Sequence, residues 1–298
     1  YTFIPASVQD NPHYANSGYQ KELDSMPEPY RSILLGGFRT TFKDQENQII
    51  PTQWIREAIA RWGQWAGRPP PGVPMCAIAA DCTGGGTDPL VVGARYDGWY
   101  DKFEVVPGRE IPMDRIGRTT AGVILAMRCD RATIIVDMGG GYGGSAYEHL
   151  KMQFEADPLR DMVVGFKGAE SINIRTQDKK FGFSNRRTAA LWRMREALDP
   201  EQVSGSPIML PDDPEMVADL TSVTFEIRGS TIHAESKEDV CSRLGRSTDK
   251  GDVVCMAWSS GATASTDGAI WDQERKQIKY PVGKRPVVIK TSINTRRW

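Results

Sequence analysis

"AADCTGGGTDPLVVG", residues 79–93, ends an apolar run in an aspartate, turns through three glycines, and opens a second apolar run just past another aspartate. Two chemistries share this pattern. Glycines beside an acid can cradle a phosphate, or they can form a tight hairpin that delivers carboxylates to a metal. A phosphate loop of the Walker type leads into a helix whose N–H groups meet the phosphates, and its signature is G-x-x-x-x-G-K-[ST]. That signature is absent, and this triplet leads into "LVVG", a strand pattern. The residues therefore predict two strands, "MCAIAAD" (75–81) and "LVVGARYDG" (90–98), with the glycines at the hairpin tip and "WYDKFEVV" (99–106) as a third strand.

Working outward, "DRIGRTTAGVILAMRCD" (114–130) has helical spacing through Ile116, Thr120, Ile124 and Met127. "ATIIVD" (132–137) is a short apolar strand of the kind buried in mid-sheet. A helix over about 142–155 and the strand "MVVGF" (162–166) follow. Three strands and then α, β, α, β predict an α/β fold: a mixed sheet with an antiparallel three-strand edge and helices on both faces. Further on, "RRTAALWRMREAL" (186–198) is a helix, "SVTFEIRG" and "STIHAES" form a hairpin around Gly229, and "GDVVCMAWS" (251–259) is the final helix. The stretch 168–184 carries few element signals. A loop of that length is uncommon unless functional, and it is expected to border the site.

Before the hairpin, "PTQWIREAIARWGQ" (51–64) sets Trp54, Ala58 and Trp62 on one helix face with Ile55 and Ile59 alongside. "EPYRSILLGGF" (28–38) reads as a short capped helix. "GRPPPGVP" (67–74) cannot continue a helix or a central strand. The expected organisation is a helical linker module at 1–66, a proline-rich boundary at 67–74, a main domain at 75–262 and a basic tail at 263–298.

Composition sets the outer limits. The chain has 298 residues, 40% hydrophobic and 25% charged, as in globular proteins. Its apolar runs are far shorter than the roughly 18 residues a membrane span needs, and no membrane partner is expected. Five cysteines without a C-x-x-C pair read as reduced thiols in the core. His13, His149 and His233 lie far apart, which argues against a histidine-built metal site. The net charge of −1 gives no overall nucleic-acid footprint, but residues 272–298 hold eight basic residues against Asp272 and Glu274, a local +6.

The acids fall at the ends of elements. Asp81 and Asp137 close apolar strands, Asp88 lies across the glycine turn, and Asp249 and Asp252 share a face in the first turn of the last helix. Sites in open α/β sheets form beyond the carboxyl ends of strands. Clustered carboxylates resist joint ionisation unless a cation joins them, and an oxygen-only set suits Mg²⁺ or Mn²⁺. Two such ions about 4 Å apart can clamp a phosphodiester. A helix-capping role fits Ser247 or Asp249 equally well.

Two families resemble parts of this pattern. "DCTGGGTD" and "VDMGGGYGG" resemble the phosphate motifs of the actin, sugar-kinase and Hsp70 ATPases, but the duplicated domain and the late adenosine motif of that superfamily are missing. A broader resemblance runs from Tyr1 to about Ser260. "YTFIPASVQDNPHYANSGYQKELDSMPEPYRSILLGGF", the Asp81 hairpin with "GGGTDP", "IIVDMGGGYGG", "FSNRRTAALWRMREAL" and "AESKEDVCSRLGRSTDKGDVVCMAW" together resemble the large terminase subunit of tailed bacteriophages, in the part after its ATPase core. Thr248 stands where that family usually has proline, and Gly251-Asp252-Val253 replaces Ala-Asp-Ala; the acid spacing is intact.

The resemblance implies a ribonuclease H-like nuclease that cuts concatemeric double-stranded DNA when packaging starts and ends, using two Mg²⁺ or Mn²⁺ ions. It places the catalytic and metal-binding acids at Asp81, Asp137 and Asp252, with Asp88 and Asp249 as additional ligands. It implies DNA, the small terminase subunit and the portal as partners, an ATPase domain outside this chain, and the cytoplasm of an infected bacterium as location. Phosphate contacts, which serve a nuclease of little sequence preference, are expected from Lys167, Arg186, Arg187, Lys237, Arg243 and Arg246. A resolvase or transposase of the same fold, an actin-like ATPase or sugar kinase, and a non-enzymatic portal-docking module stay open as alternatives.

Overall fold

The computed structural model describes residues 47–130, 132–154, 162–202 and 204–261, and the backbone of 270–272 and 277–279. The helix expected over 28–38, His13 and most of the basic tail lie outside the described residues. In chain order the elements are α1 (Thr52–Gly63), β1 (Ala77–Asp81), β2 (Leu90–Tyr96), β3 (Trp99–Tyr100), β4 (Glu104–Val106), α2 (Ile116–Met127) and β5 (Thr133–Asp137). There follow α3 (Gly143–Gln153), β6 (Val163–Phe166), β7 (Gly182–Phe183), α4 (Arg186–Leu198), α5 (Pro214–Ser222), β8 (Phe225–Arg228) and β9 (Thr231–Ala234). The last are α6 (Lys237–Leu244), α7 (Asp249–Trp258) and a small antiparallel pair, β10 (Ile270–Asp272) with β11 (Gln277–Lys279).

The main sheet has the order β3-β2-β1-β5-β6, with β4 continuing the β3 edge along β2. β1 and β2 are the antiparallel hairpin, whereas β5 and β6 run parallel to β1. The third predicted strand is broken in two. Between the pairs Arg95↔Tyr100 and Val92↔Glu104, β2 holds two residues and the edge holds three, so one extra residue bulges. Asp101 turns its carboxylate onto the N–H of Lys102 at 2.8 Å there.

The period of two in β1 and β5 sorts their side chains between two cores. Ile78, Ala80, Ile134 and Val136 pack with Ala121 and Ile124 of α2 and with Ala146 and Leu150 of α3. Ala77, Ala79 and Ile135 point the other way, into a core shared with α1, α4, α5, α6 and α7. Helices thus cover both faces, and full burial of residues such as Ile78, Ile134 and Ile124 contributes about 1.5–3 kcal/mol each. By the same alternation Asp81 and Asp137 face the α7 side.

The face of α1 is centred on Ile55 and Ala58 and includes a buried Arg61, which donates to the Ile208 carbonyl at 2.9 Å and to Ser206 Oγ at 3.0 Å. Trp62, expected on that face, instead stacks on Trp99 with ring centroids 5.8 Å apart. Ile55 and Ala58 therefore join the same core as the sheet's α7 face. Two helices went unpredicted from apolar spacing, α5 and α6, and both carry caps. Asp213 accepts from the Met216 N–H at 3.0 Å ahead of Pro214, and Ser236 accepts from the Asp239 N–H at 3.1 Å while Gly245 (φ 70) ends α6. The hairpin around Gly229 forms as predicted but belongs to a separate sheet, β7-β9-β8, packed on Trp192. All five cysteines are free; only Cys255 is fully buried, and Cys129 is exposed rather than in the core. Among the described residues, no helix is long and apolar enough to cross a membrane.

Candidate metal centre

Register and packing bring four of the predicted acids together. β1 and β5 pair in parallel through Ala80↔Val136, and one more step of that register sets Asp81 beside Asp137. α7 crosses this end of the sheet and presents Asp249 and Asp252 from its first turn. All four line one cleft of about 660 Å³, with the exposed Asp88 on its rim. β2 begins at Leu90, so Asp88 sits in the hairpin turn and not in the strand.

A lysine joins them. Lys237, the first residue of α6, places Nζ 2.8 Å from Asp252 Oδ2, 3.2 Å from Asp81 Oδ2 and 3.9 Å from Asp249 Oδ1. Arg187 Nε lies 3.8 Å from Asp252 Oδ1. Hydroxyls and amides complete the cluster. Thr248 Oγ1 donates to Asp252 Oδ2 at 2.9 Å, Ser247 Oγ donates to Asp249, and the Gly139 N–H donates to Asp137 Oδ1 at 2.9 Å.

The electrostatics follow from burial and this one ammonium. Burial drives the Asp81 carboxyl well above the usual carboxylate range; Lys237 opposes that, and Asp249, Asp252 and Asp137 add to it. Burial likewise raises Asp137 and Asp249. For Asp252 burial also pushes upward, but Lys237 and Arg187 outweigh it and hold the carboxyl below its ordinary value. Burial disfavours the Lys237 charge, yet Asp252 and Asp81 more than restore it and the ammonium is held on. Asp252 is thus the acid held most firmly in its ionised form, whereas burial favours the protonated forms of Asp81, Asp137 and Asp249.

The donor set is oxygen-only, as a hard divalent cation requires. Among the described residues no three such side chains already converge on one ion-sized point. The Lys237 ammonium stands between the strand-end acid Asp81 and the helix acids Asp249 and Asp252.

The predicted basic residues divide. Lys167 is exposed just past β6. Arg186 lies over the Phe166 ring at 4.8 Å and donates to the Gly165 carbonyl at 3.3 Å. Arg187 is turned inward, donating to the Glu235 carbonyl at 2.7 Å. Arg243 pairs with Glu235 at 2.6 Å, and Arg246 pairs with Asp219 at 2.6 Å. Ends of the 168–184 stretch do border the cleft, through Gly168, Ala169 and Ser184. His233 lines the cleft with the acids, and His149 is exposed on α3.

One residue that shapes the site escaped sequence reasoning. Asp219 on α5 is 1% exposed and accepts the Gly251 N–H of the first turn of α7 at 3.0 Å. Thr248, at the N-cap, makes no side-chain cap bond and spends its hydroxyl on Asp252, so Asp219 caps α7 from another helix. A Cβ at Gly251 would stand 2.6 Å from the Asp219 Cβ, which explains glycine there.

No family model matches the chain, and no curated protein does. Solved structures do share its fold. The nuclease domain of the large terminase subunit gp2 of bacterial virus Sf6 superposes with a TM-score of 0.53 and 16% identity, over 70% of this chain and 97% of that domain. A lysine-to-alanine variant of the same domain with manganese and beta-thujaplicinol matches equally, at TM-score 0.53, 16% identity and the same 70% and 97% coverage. The variant with calcium gives TM-score 0.53 and 17% identity, again over 70% and 97%. The mixed sheet with helices on both faces is therefore a fold that this chain shares with those nuclease domains.

Proposed function

We propose that this chain is a metal-dependent endonuclease of a viral DNA-packaging motor, hydrolysing phosphodiester bonds of double-stranded DNA with little sequence preference. The observation that carries this is the gathering of Asp81, Asp249 and Asp252 on a single ammonium, with Asp137 in the same cleft at the sheet's end. A carboxylate array with so little compensating charge is costly unless cations bind it. The Sf6 domains of like fold, solved with manganese and with calcium, support the same choice of ligand.

Asp81, Asp137 and Asp252 would hold the ions, with Asp249 as a further ligand and Asp88 reaching in from the rim. Bound Mg²⁺ or Mn²⁺ would supply Lewis-acid stabilisation of the attacking and leaving oxygens of the phosphodiester. The chain's own residues do the rest. Strand-end and helix-start positions fix the carboxylates on rigid elements. Thr248 and Arg187 aim Asp252, and the Gly139 N–H orients Asp137. Lys237, paired with Asp81 and Asp252, would offset the charge of the array where no cation is bound.

Lys167 and Arg186, beside the cleft, are assigned to the DNA backbone, and Arg243 and Arg246 to holding buried carboxylates. Partners in this role are duplex DNA, the motor's ATPase domain, the small terminase subunit and the portal, in the host cytoplasm. The test is incubation of supercoiled plasmid with the protein. Nicked and linear products are expected with Mg²⁺ or Mn²⁺ and none with EDTA; a folded protein that leaves plasmid intact with either cation would remove this function.

A further inference from the structure

Both glycine triplets of the sequence meet at one aromatic ring. Tyr142 follows the turn after Asp137 and lines the cleft, yet the residue is 55% exposed. A Cβ added at Gly84, in the turn after Asp81, would stand 2.3 Å from the Tyr142 ring. A Cβ at Gly140, whose φ is +62, would stand 3.3 Å from the same ring. Two loops, each leaving a strand-end acid, thus carry glycine where they approach Tyr142. Gly84 approaches the ring at its Cδ1, Cε1 and Cζ atoms, and Gly140 approaches it at Cδ2 and Cε2. Single exposed apolar side chains are ordinary on a protein surface, but this one lines the cleft that holds Asp81 and Asp137. Here it stands at the mouth of an acidic cleft, where it adds nothing to carboxylate chemistry.

We propose that Tyr142 is a nucleotide platform: the apolar face of the sugar or base flanking the scissile phosphate rests on its ring, which helps hold the DNA at the cleft. Aromatic faces accept every base and so suit a nuclease of little sequence preference. The glycines keep the platform rigid by letting the ring seat on backbone. This inference rests on the DNA-cleaving role proposed above.

The test compares wild type, Tyr142→Phe, Tyr142→Ala, Gly84→Ala and the double variant. Affinity for a fluorescein-labelled duplex is read in Ca²⁺, strand cutting in Mn²⁺, and Mn²⁺ binding by calorimetry. Tyr142→Ala should weaken DNA binding and raise KM about 5-fold or more, the lower end of one stacking contact, while kcat and Mn²⁺ binding stay near wild type. Tyr142→Phe should keep wild-type affinity, since the ring face is what is used. Gly84→Ala, which forces the ring to move, should weaken DNA binding in the same direction and add nothing in the Tyr142→Ala background. With an abasic residue beside the cut, a surviving Tyr142→Ala effect assigns the contact to sugar and a vanished one to base; either supports the platform. Wild-type DNA affinity in Tyr142→Ala, or a loss confined to kcat, would overturn it while leaving the nuclease standing. A wild-type protein that neither binds nor cuts DNA would overturn both.

Discussion

Lys237 Nζ lies 2.8 Å from Asp252 Oδ2, and the same ammonium reaches Asp81 Oδ2 at 3.2 Å, so one side chain ties the first turn of α7 to the end of β1. Residues far apart in the chain thereby share one charge balance, and removing the ammonium exposes what it compensates. Lys237→Ala should melt below wild type at pH 7.5 in EDTA, and Mn²⁺ should raise its melting temperature by more than it raises wild type's. Differential scanning calorimetry measures both; an equal Mn²⁺ shift in the two proteins would mean that lysine and cation do not share a site.

Raised carboxyls give the pH dependence its sign. Asp81, Asp137 and Asp249 are held above the ordinary carboxylate range by burial, so the folded state keeps protons that the unfolded chain has released. Their contribution is present below the unfolded value, near 4, and is lost as pH rises through the raised folded values. A divalent cation removes that loss by favouring the ionised forms. The thermal shift produced by Mg²⁺ should therefore be larger at pH 8 than at pH 5, and a shift that shrinks as pH rises would count against a carboxylate site.

Asp219 offers a separate titration outside the cleft. Burial pushes its carboxyl up to about 7 against the pull of Arg246. The stability it contributes should decline as pH rises from about 4 through 7, and Asp219→Asn should abolish that decline. Melting curves of the two proteins at pH 5 and pH 8 show it as a gap that moves in favour of the variant at the higher pH. Parallel curves would place the Asp219 value near that of an ordinary carboxyl.

The contact between α5 and α7 leaves no room at Gly251. Gly251→Ala should destabilise by about 1–3 kcal/mol through overpacking, since the added Cβ would meet that of Asp219 at 2.6 Å. Because α7 carries Asp249 and Asp252, the shift should also weaken Mn²⁺ binding. Urea unfolding and calorimetric titration check the two effects, and wild-type values for both would show that α7 is positioned by something else.

Basic residues separate by what they already hold. Lys167→Ala should reduce the salt dependence of DNA binding by about one phosphate contact, with little change in melting temperature. Arg246→Ala should leave the slope alone and cost about 3 kcal/mol of stability, because Asp219 loses its buried partner. Binding isotherms across a salt series, paired with melting curves, distinguish them.

Much of this site was legible in the sequence because local periods carry it. Alternation along "AIAAD" and "TIIVD" sends Asp81 and Asp137 to one face, and the spacing of Asp249 and Asp252 sets both in one helical turn. What local pattern cannot show is which distant group approaches. Lys237 was visible as a basic residue of a matching motif, but its insertion between Asp81 and Asp252 depends on how α6 docks. Asp219 gave no signal at all, since its partner Gly251 lies on another helix. The bulge that splits β3 from β4 adds a single residue, below what an alternation pattern resolves. Helices α5 and α6 span only nine and eight residues, too short for a repeated apolar period; Asp213-Pro214, and Ser236 with Gly245, were the signals that mark them.

The central claim is that the four clustered acids make one cation site that cuts DNA. Its most direct measurement is the strand-cutting rate on supercoiled plasmid in Mn²⁺ for wild type and for Asp81→Asn, Asp137→Asn and Asp252→Asn, each first confirmed to be folded. Cutting by wild type that falls at least a hundredfold in all three variants is the predicted result, since loss of a metal ligand removes several kcal/mol of transition-state stabilisation. Undiminished cutting by Asp137→Asn, or no cutting by folded wild type, would contradict it.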